Sequence, residues 1–210
     1  MPLDLAKTYL YHITDVANLA AIIQSGGLAS DLALARAGGQ AVAIGYAHIK
    51  ERRMTQYRVP CSGNRFVGEF VPFYYCPRSP MLYTINQGNV PGRAAGCQST
   101  ILHLVSTVQK ALDLGKPWAL SDVGAGAAYA QFFNDPQRLE GLNWDAIRAN
   151  IWKGRMHEKQ AEFLVADAFP WSAIVGIGCH NEAVSARVNG ILQSSVHKPR
   201  VFTKLSWYYT

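Results

Sequence analysis

Several absences narrow the field before any motif is read. No run of about 18 apolar residues occurs, so no membrane-spanning helix is expected. The opening residues, Met-Pro-Leu-Asp-Leu-Ala-Lys, carry an acid and lack a long apolar stretch, so no secretory signal is expected and the chain reads as cytoplasmic. Only four cysteines are present, Cys61, Cys76, Cys97 and Cys179, and no two form a Cys-x-x-Cys pair. That spacing speaks against a zinc site, and the cysteines are expected to be reduced packing residues with no metal bound. A Gly-x-Gly-x-x-Gly fingerprint is missing, so a Rossmann dinucleotide domain is not supported. Charge is sparse: 16% of residues are charged against 49% hydrophobic, which predicts a globular core under a lightly charged surface. No internal repeat or low-complexity segment breaks the chain, and its 210 residues fit a single domain, 1–210.

What charge there is lies unevenly. Between Lys50 and Arg93 stand seven basic residues (Lys50, Arg52, Arg53, Arg58, Arg65, Arg78 and Arg93) against Glu51 and Glu69 alone, a local charge of +5 in a chain of +6. Six of the seven are arginines, the side chain suited to bidentate phosphate contact and base stacking, so a polyanion is the first partner to consider. Aromatic residues are interleaved with them, notably Phe73, Tyr74, Tyr75 and Arg78, as at sites that stack single-stranded bases. The plainer reading of those aromatics is sheet core.

Along the chain, 9–13 reads as a strand that ends at Thr14-Asp15, either of which can cap the helix that follows. His12 thus falls at a strand end just before a helix N-terminus. Residues 29–45 read as a loop and 46–54 as a short helix carrying Arg52 and Arg53. Adjacent residues on a helix point about 100° apart, so one arginine faces a cleft and the other solvent. Residues 66–76 form a strong aromatic strand signal, with Pro72 marking an edge or bulge. Further strands are expected at 101–105, with Ser106 capping the next helix, and at 117–120, 162–165, 173–179 and 200–208. Helices are expected at 127–133 and 142–151, and one capped by Asn181. Strands outnumber helices and adjoin like hairpins, so the class is α+β with a mainly antiparallel sheet.

The most telling stretch is Arg155-Met-His-Glu-Lys-Gln-Ala-Glu-Phe-Leu-Val165, where a polar run stops at an apolar strand. Glu162 stands at the strand mouth, where a rigid element holds a carboxylate and the preceding loop admits substrate. A solvated strand-start carboxylate is the bland alternative.

Five strings together resemble one family. They are Tyr11-His-Ile-Thr14 with Asn18-Leu19, Tyr46-Ala-His-Ile-Lys-Glu-Arg-Arg53, Val71-Pro-Phe-Tyr-Tyr-Cys-Pro-Arg-Ser-Pro-Met-Leu-Tyr83, Ile101-Leu-His-Leu-Val105 and Lys159-Gln-Ala-Glu-Phe-Leu-Val165. The sequence resembles the DarT DNA ADP-ribosyltransferase toxins, distant relatives of the poly(ADP-ribose) polymerases. The resemblance implies an ADP-ribosyltransferase fold, two packed and mainly antiparallel sheets with flanking helices around an NAD+ cleft. It implies transfer of ADP-ribose from NAD+ to a base of single-stranded DNA, typically thymidine, and a cognate macrodomain antitoxin. By the same resemblance Glu162 and Arg53 are the catalytic pair and His12 binds NAD+, with Thr14, Asn18, Tyr74 and Ser79 lining the cofactor pocket. Arg52, Tyr75, Arg78, Arg93 and Arg155 are the candidates for nucleic-acid contact, and a monomer is expected.

The chemistry suits these residue types. Breaking the nicotinamide–ribose bond builds an oxocarbenium-like centre, which a carboxylate stabilises while holding a ribose hydroxyl. A guanidinium beside the base carbonyls stabilises the anion that develops when thymine loses its imide proton. The rivals are a relative acting on guanine or on RNA, such as an NAD-dependent RNA 2′-phosphotransferase, and a non-enzymatic single-strand binding module.

Overall fold

The computed structural model describes residues 3–39 and 41–209. Twelve strands are found among them: β1 (Tyr9–Asp15), β2 (Gly27–Ala29), β3 (Arg58–Val59), β4 (Arg65–Phe66), β5 (Phe70–Tyr74), β6 (Ile101–Thr107), β7 (Trp118–Ser121), β8 (Phe132–Phe133), β9 (Glu162–Ala166), β10 (Ala168–Pro170), β11 (Gly176–Cys179) and β12 (Arg200–Thr203). Eight helices accompany them: α1 (Leu19–Gln24), α2 (Asp31–Arg36), α3 (Ala47–Thr55), α4 (Pro80–Asn86), α5 (Val108–Asp113), α6 (Trp144–Arg148), α7 (Met156–Lys159) and α8 (Glu182–Leu192).

The principal sheet runs β12-β11-β6-β1-β5-β9-β7-β8, antiparallel throughout except for the parallel pair β11–β12. Its two halves meet weakly. β1 and β6 share seven Cα partners, whereas β1 and β5 share one, Tyr11 opposite Tyr74. The two sheets expected from the sequence are therefore two four-stranded halves of one hydrogen-bonded sheet, splayed on either side of that single pair. His12 fills part of the splay, donating from Nδ1 to the Pro72 carbonyl at 2.9 Å.

Side-chain alternation on β9 sets the two faces. Phe163 and Val165 enter the main core with Phe73, Leu120 and Phe169, and the Phe163 ring stacks on Trp118 at 5.2 Å and 6°. Leu164 and Ala166 join Phe70, Ala119 and Ala125 on the opposite side, and Glu162 shares their side by the two-residue period. Each large apolar side chain fully buried here contributes about 1.5–3 kcal/mol, so the strand carrying Glu162 is anchored on both faces.

Local chemistry explains where several expectations give way. Ser30, whose Oγ accepts from the Ala33 amide, starts α2 inside a stretch expected to be loop. Thr107 rather than Ser106 caps α5: the Thr107 Oγ1 accepts from the Lys110 amide, whereas the Ser106 hydroxyl donates to the Ala173 carbonyl. The helix expected at 127–133 is absent: turns lead into β8, which pairs with β7 instead. The strand expected at 66–76 starts only at Phe70, after a 3-10 turn at Val67–Glu69. Residues 176 and 178 are glycines because a Cβ at Gly178 would lie 2.6 Å from the Trp207 ring and one at Gly176 3.0 Å from Phe202. Among the described residues no helix is long and apolar enough to cross a membrane.

Candidate active site

Arg53 and Glu162 are 109 residues apart and meet as a fork. The guanidinium donates from Nη1 to Oε1 and from Nη2 to Oε2, each at 2.9 Å, with both side chains largely withdrawn from solvent. This answers the question the adjacent arginines posed. Arg53 points from α3 toward the sheet, whereas Arg52 points away, donates to Gln56 at 3.3 Å and lies 4.9 Å over the Tyr57 ring. Burial alone pulls the Arg53 guanidinium down, but the Glu162 charge and hydrogen bonds outweigh it, so its pKa is raised and it stays a cation.

The glutamate is held from its backbone side as well. The Ala125 amide donates to Oε1 at 2.9 Å, the Glu162 amide donates to Ser121 Oγ at 3.1 Å, and Ser121 in turn donates to the Val123 carbonyl at 2.6 Å. The loop after β7 thus wraps the carboxylate, and Gly124 lets it come close, since a Cβ there would stand 3.2 Å from the Gln160 Cβ. Neither Ser121 nor Ala125 stands out in the sequence: Ala125 acts through its backbone amide, and the Ser121 hydroxyl meets the Glu162 backbone 41 positions away.

The donor count leaves room for ligands. Oε1 accepts two hydrogen bonds but Oε2 only one, so Oε2 keeps capacity to take a hydroxyl. Arg53 has used two of its five N–H groups on the carboxylate, which leaves three to turn toward an acceptor without breaking the fork. Tyr74 is the Cα partner of Glu162 on one side and of Tyr11 on the other, which puts its ring between the catalytic candidates and β1. Burial, and then the neighbouring Glu162 charge, raises the Tyr74 phenol, so it is a neutral donor. His12 is held neutral, because burial lowers its pKa more than the Pro72 carbonyl raises it. With Nδ1–H given to that carbonyl, its Nε2 is an acceptor, and it makes no hydrogen bond to the described residues. A carboxylate oxygen, an imidazole acceptor, a phenol donor and spare guanidinium hydrogens suit the hydroxyls and amide of a dinucleotide such as NAD+.

The remaining candidates divide. Thr14 and Asn18 are engaged structurally: Asn18 donates to Thr14 Oγ1 at 3.1 Å and exchanges hydrogen bonds with Val42 at 2.8 and 3.0 Å. Ser79 is fully buried and caps α4, accepting from the Leu82 amide at 3.2 Å, so its hydroxyl is not presented to a cleft. Arg93 pairs with Asp15 at 3.0 Å and donates to the Ala43 carbonyl at 3.1 Å. Arg155 is exposed at the start of α7. Tyr75 and Arg78 lie on a separate cavity, on the face that Tyr75 takes opposite to Tyr74.

The basic segment is largely neutralised from outside. Asp31 pairs with Lys50 at 2.9 Å, Glu162 with Arg53, Asp167 with Arg65, and Asp15 with Arg93. Of the seven basic residues of the segment, Arg52, Arg58 and Arg78 have no carboxylate partner among the described residues. Trp152 meets Tyr83 edge-on at 5.5 Å, beside the exposed Ile151, Arg155 and Met156 that lead into β9; of these five the sequence reading singled out only Arg155. Among the described residues no three His, Cys, Asp or Glu side chains gather as a cation would require.

Residues 11–209 match the family model described as DarT, ssDNA thymidine ADP-ribosyltransferase. A DNA ADP-ribosyl transferase of Thermus aquaticus is 39% identical over 204 residues, which cover 96% of this chain and 89% of that protein. Two solved structures of Thermus sp. 2.9 DarT superpose over the whole chain. The complex with ADP-ribosylated ssDNA has a TM-score of 0.91, 36% identity and 99% of its own chain covered. The complex with NAD+ has a TM-score of 0.87, 32% identity and 100% covered. A family model spanning almost the entire chain, a buried Arg53–Glu162 fork and this superposition agree, and the chain belongs to the DarT family of ADP-ribosyltransferases.

Proposed function

We propose that this protein transfers ADP-ribose from NAD+ to the N3 atom of a thymidine in single-stranded DNA, with Glu162 and Arg53 as the catalytic residues. The carrying observation is the shared fork: one side chain has acceptor capacity left at Oε2, and the other has donors left beyond its two bonds to the carboxylate. Glu162 Oε2 accepts a hydroxyl of the nicotinamide ribose and its charge stabilises the positive ring as the glycosidic bond breaks. The bonding pair leaves with nicotinamide. The thymine nitrogen then bonds to the ribose carbon and gives up its imide proton to solvent water, while Arg53 donates to a base carbonyl and stabilises the charge gathering there. His12 Nε2 accepts a second ribose hydroxyl, and Tyr74 walls the nicotinamide.

Thymine N3 is engaged in pairing in a duplex, so the acceptor must be single-stranded or flipped out. The 151–156 segment supplies the exposed Ile151 and Met156 and the half-buried Trp152, which with the exposed Tyr83 ring lie beside Arg155, a mixture suited to unpaired bases. This surface takes the acceptor strand in our reading. Unchecked modification of DNA harms the cell that makes the enzyme, so a cognate macrodomain antitoxin in the same compartment completes the scheme, with this protein acting as a monomer. The test is incubation with NAD+ and a panel of single-stranded DNA, duplex DNA and RNA oligonucleotides, followed by mass. A gain of one ADP-ribose on thymidine-containing single strands supports the proposal. Gain confined to RNA, or equal gain on duplex and single strand, refutes it.

A further inference from the structure

A cavity of about 300 Å³ opens between the end of β5 and the α6–α7 region, on the side of the sheet that Tyr75 faces. Its floor is buried and includes Tyr75, Tyr11 and Lys159; its rim carries the exposed Arg148, Asn150 and Ser206. No aspartate or glutamate lines it, whereas Arg78, Arg148 and Lys159 all do. Lys159 is 2% exposed and donates to the Ile147 and Ala149 carbonyls at 2.8 Å each, so it fixes the backbone on both sides of Arg148 without receiving a counter-charge.

Two buried polar atoms on the cavity lining have no partner among the described residues. The Tyr75 hydroxyl and Arg78 Nε are both withdrawn from solvent and unbonded. Buried polar groups are nearly always satisfied, and an orphaned pair at the wall of a cationic cavity points to a missing polar ligand. The aromatic content points to the rest of that ligand: Trp144 packs at 5.4 Å against Tyr75 and carries Arg148 at 4.9 Å over its ring. Cations for a phosphate, aromatic walls for a base and a volume at the lower end of small-molecule sites describe a nucleotide pocket.

We propose that this cavity is a second nucleotide-binding site, separate from the Arg53–Glu162 cleft, which binds a nucleotide through its phosphate and its base. The phosphate meets Arg148 at the mouth and Arg78 on the wall, and the base enters toward Trp144 and Tyr75. Two sources share this chemistry: a nucleotide of the acceptor strand outside the modified position, and a free mononucleotide. Either would sit close in the chain to the reaction centre, since Tyr75 follows Tyr74 and Lys159 precedes Glu162 by three residues.

Equilibrium binding of dTMP, thymidine and a short single-stranded oligonucleotide to the whole protein, without NAD+, tests this. Variants are Arg148→Gln, which removes a rim charge, and Ser206→Trp, which fills the mouth from an exposed position without altering charge. dTMP is expected to bind about tenfold or more tighter than thymidine, to resist displacement by ADP-ribose, and to weaken about tenfold in both variants. A parallel loss for the oligonucleotide identifies the source as the strand; an unchanged oligonucleotide identifies it as the free nucleotide. Equal binding of dTMP and thymidine, displacement by ADP-ribose, or dTMP affinity unmoved by both variants overturns the proposal. Turnover does not enter the readout, so this site and the catalytic reading fail separately.

Discussion

Replacing Glu162 with glutamine turns one carboxylate oxygen into an NH2 group and leaves the shape almost unchanged. The fork then loses one of its two charge-assisted hydrogen bonds, because an Arg53 N–H faces another donor. The Ala125 amide keeps a partner only if the remaining carbonyl stays at the Oε1 position, which costs the Nη2 bond in preference to the Nη1 bond. Losing a hydrogen bond between charged groups costs about 1.5–3 kcal/mol, and Arg53, 15% exposed at its side chain, is left partly uncompensated. Stability should fall by about 2–3 kcal/mol, or roughly 4–12 °C in Tm for a chain of this size. The rate should fall much further, by about a thousandfold or more, since the charge opposite the cationic transition state is gone. Thermal unfolding and ADP-ribosyl transfer measured on the same preparation check both numbers. Transfer within about tenfold of wild type would remove Glu162 from the catalytic role. A Glu162→Gln protein more stable than wild type would mean that the fork is a strained rather than a stabilising contact.

Arg53→Ala should abolish DNA modification while leaving some NAD+ hydrolysis, because water needs no guanidinium to act as acceptor. Arg52→Ala, which loses only the Gln56 and Tyr57 contacts, should keep turnover at saturating DNA; a paired assay of nicotinamide release and DNA mass reads the contrast, and a dead Arg52→Ala would contradict the geometry. Burial depresses His103 from 6.5 to about 4 and also lowers His12, so the folded protein binds fewer protons than the unfolded chain in acid. Stability is therefore fully present above about pH 6.5 and is lost as pH falls toward 4, by about 2 kcal/mol at pH 5 from His103 alone. Urea midpoints across that range should show the slope, and His103→Gln should flatten it. Gly178→Ala forces a methyl against the Trp207 ring, at 2.6 Å before relaxation, and should cost about 1–3 kcal/mol by chemical denaturation; a neutral result would mean that the ring moves freely.

Local signals carried the sequence reading where structure is local. Asp15 caps the turn after β1, Asn181 caps α8, and the apolar run after Glu162 is β9, each set by residues within a few positions. The resemblance to one family supplied the choice of Arg53 over Arg52, which helical geometry alone leaves open. Non-local events were hidden. Asp15, Asp31, Glu162 and Asp167 neutralise four basic residues of the 50–93 segment from well outside it, so its apparent +5 is not a free basic patch. The family resemblance puts Ser79 on the cofactor pocket, but Pro80 opens a helix there and the Ser79 hydroxyl accepts from the Leu82 amide as its cap. The 127–133 segment has helical composition, yet β7 offers its edge to Phe132 and Phe133, and pairing wins over propensity.

The central claim is that the Arg53–Glu162 fork delivers ADP-ribose to thymine N3. Its most direct test uses two single-stranded oligonucleotides that differ at one base, thymidine in one and N3-methylthymidine in the other, each incubated with NAD+ while nicotinamide release and DNA mass are followed together. Wild-type protein should add one ADP-ribose to the thymidine strand and none to the methylated strand, with Glu162→Gln silent on both. Modification of the methylated strand at an equal rate would contradict the account.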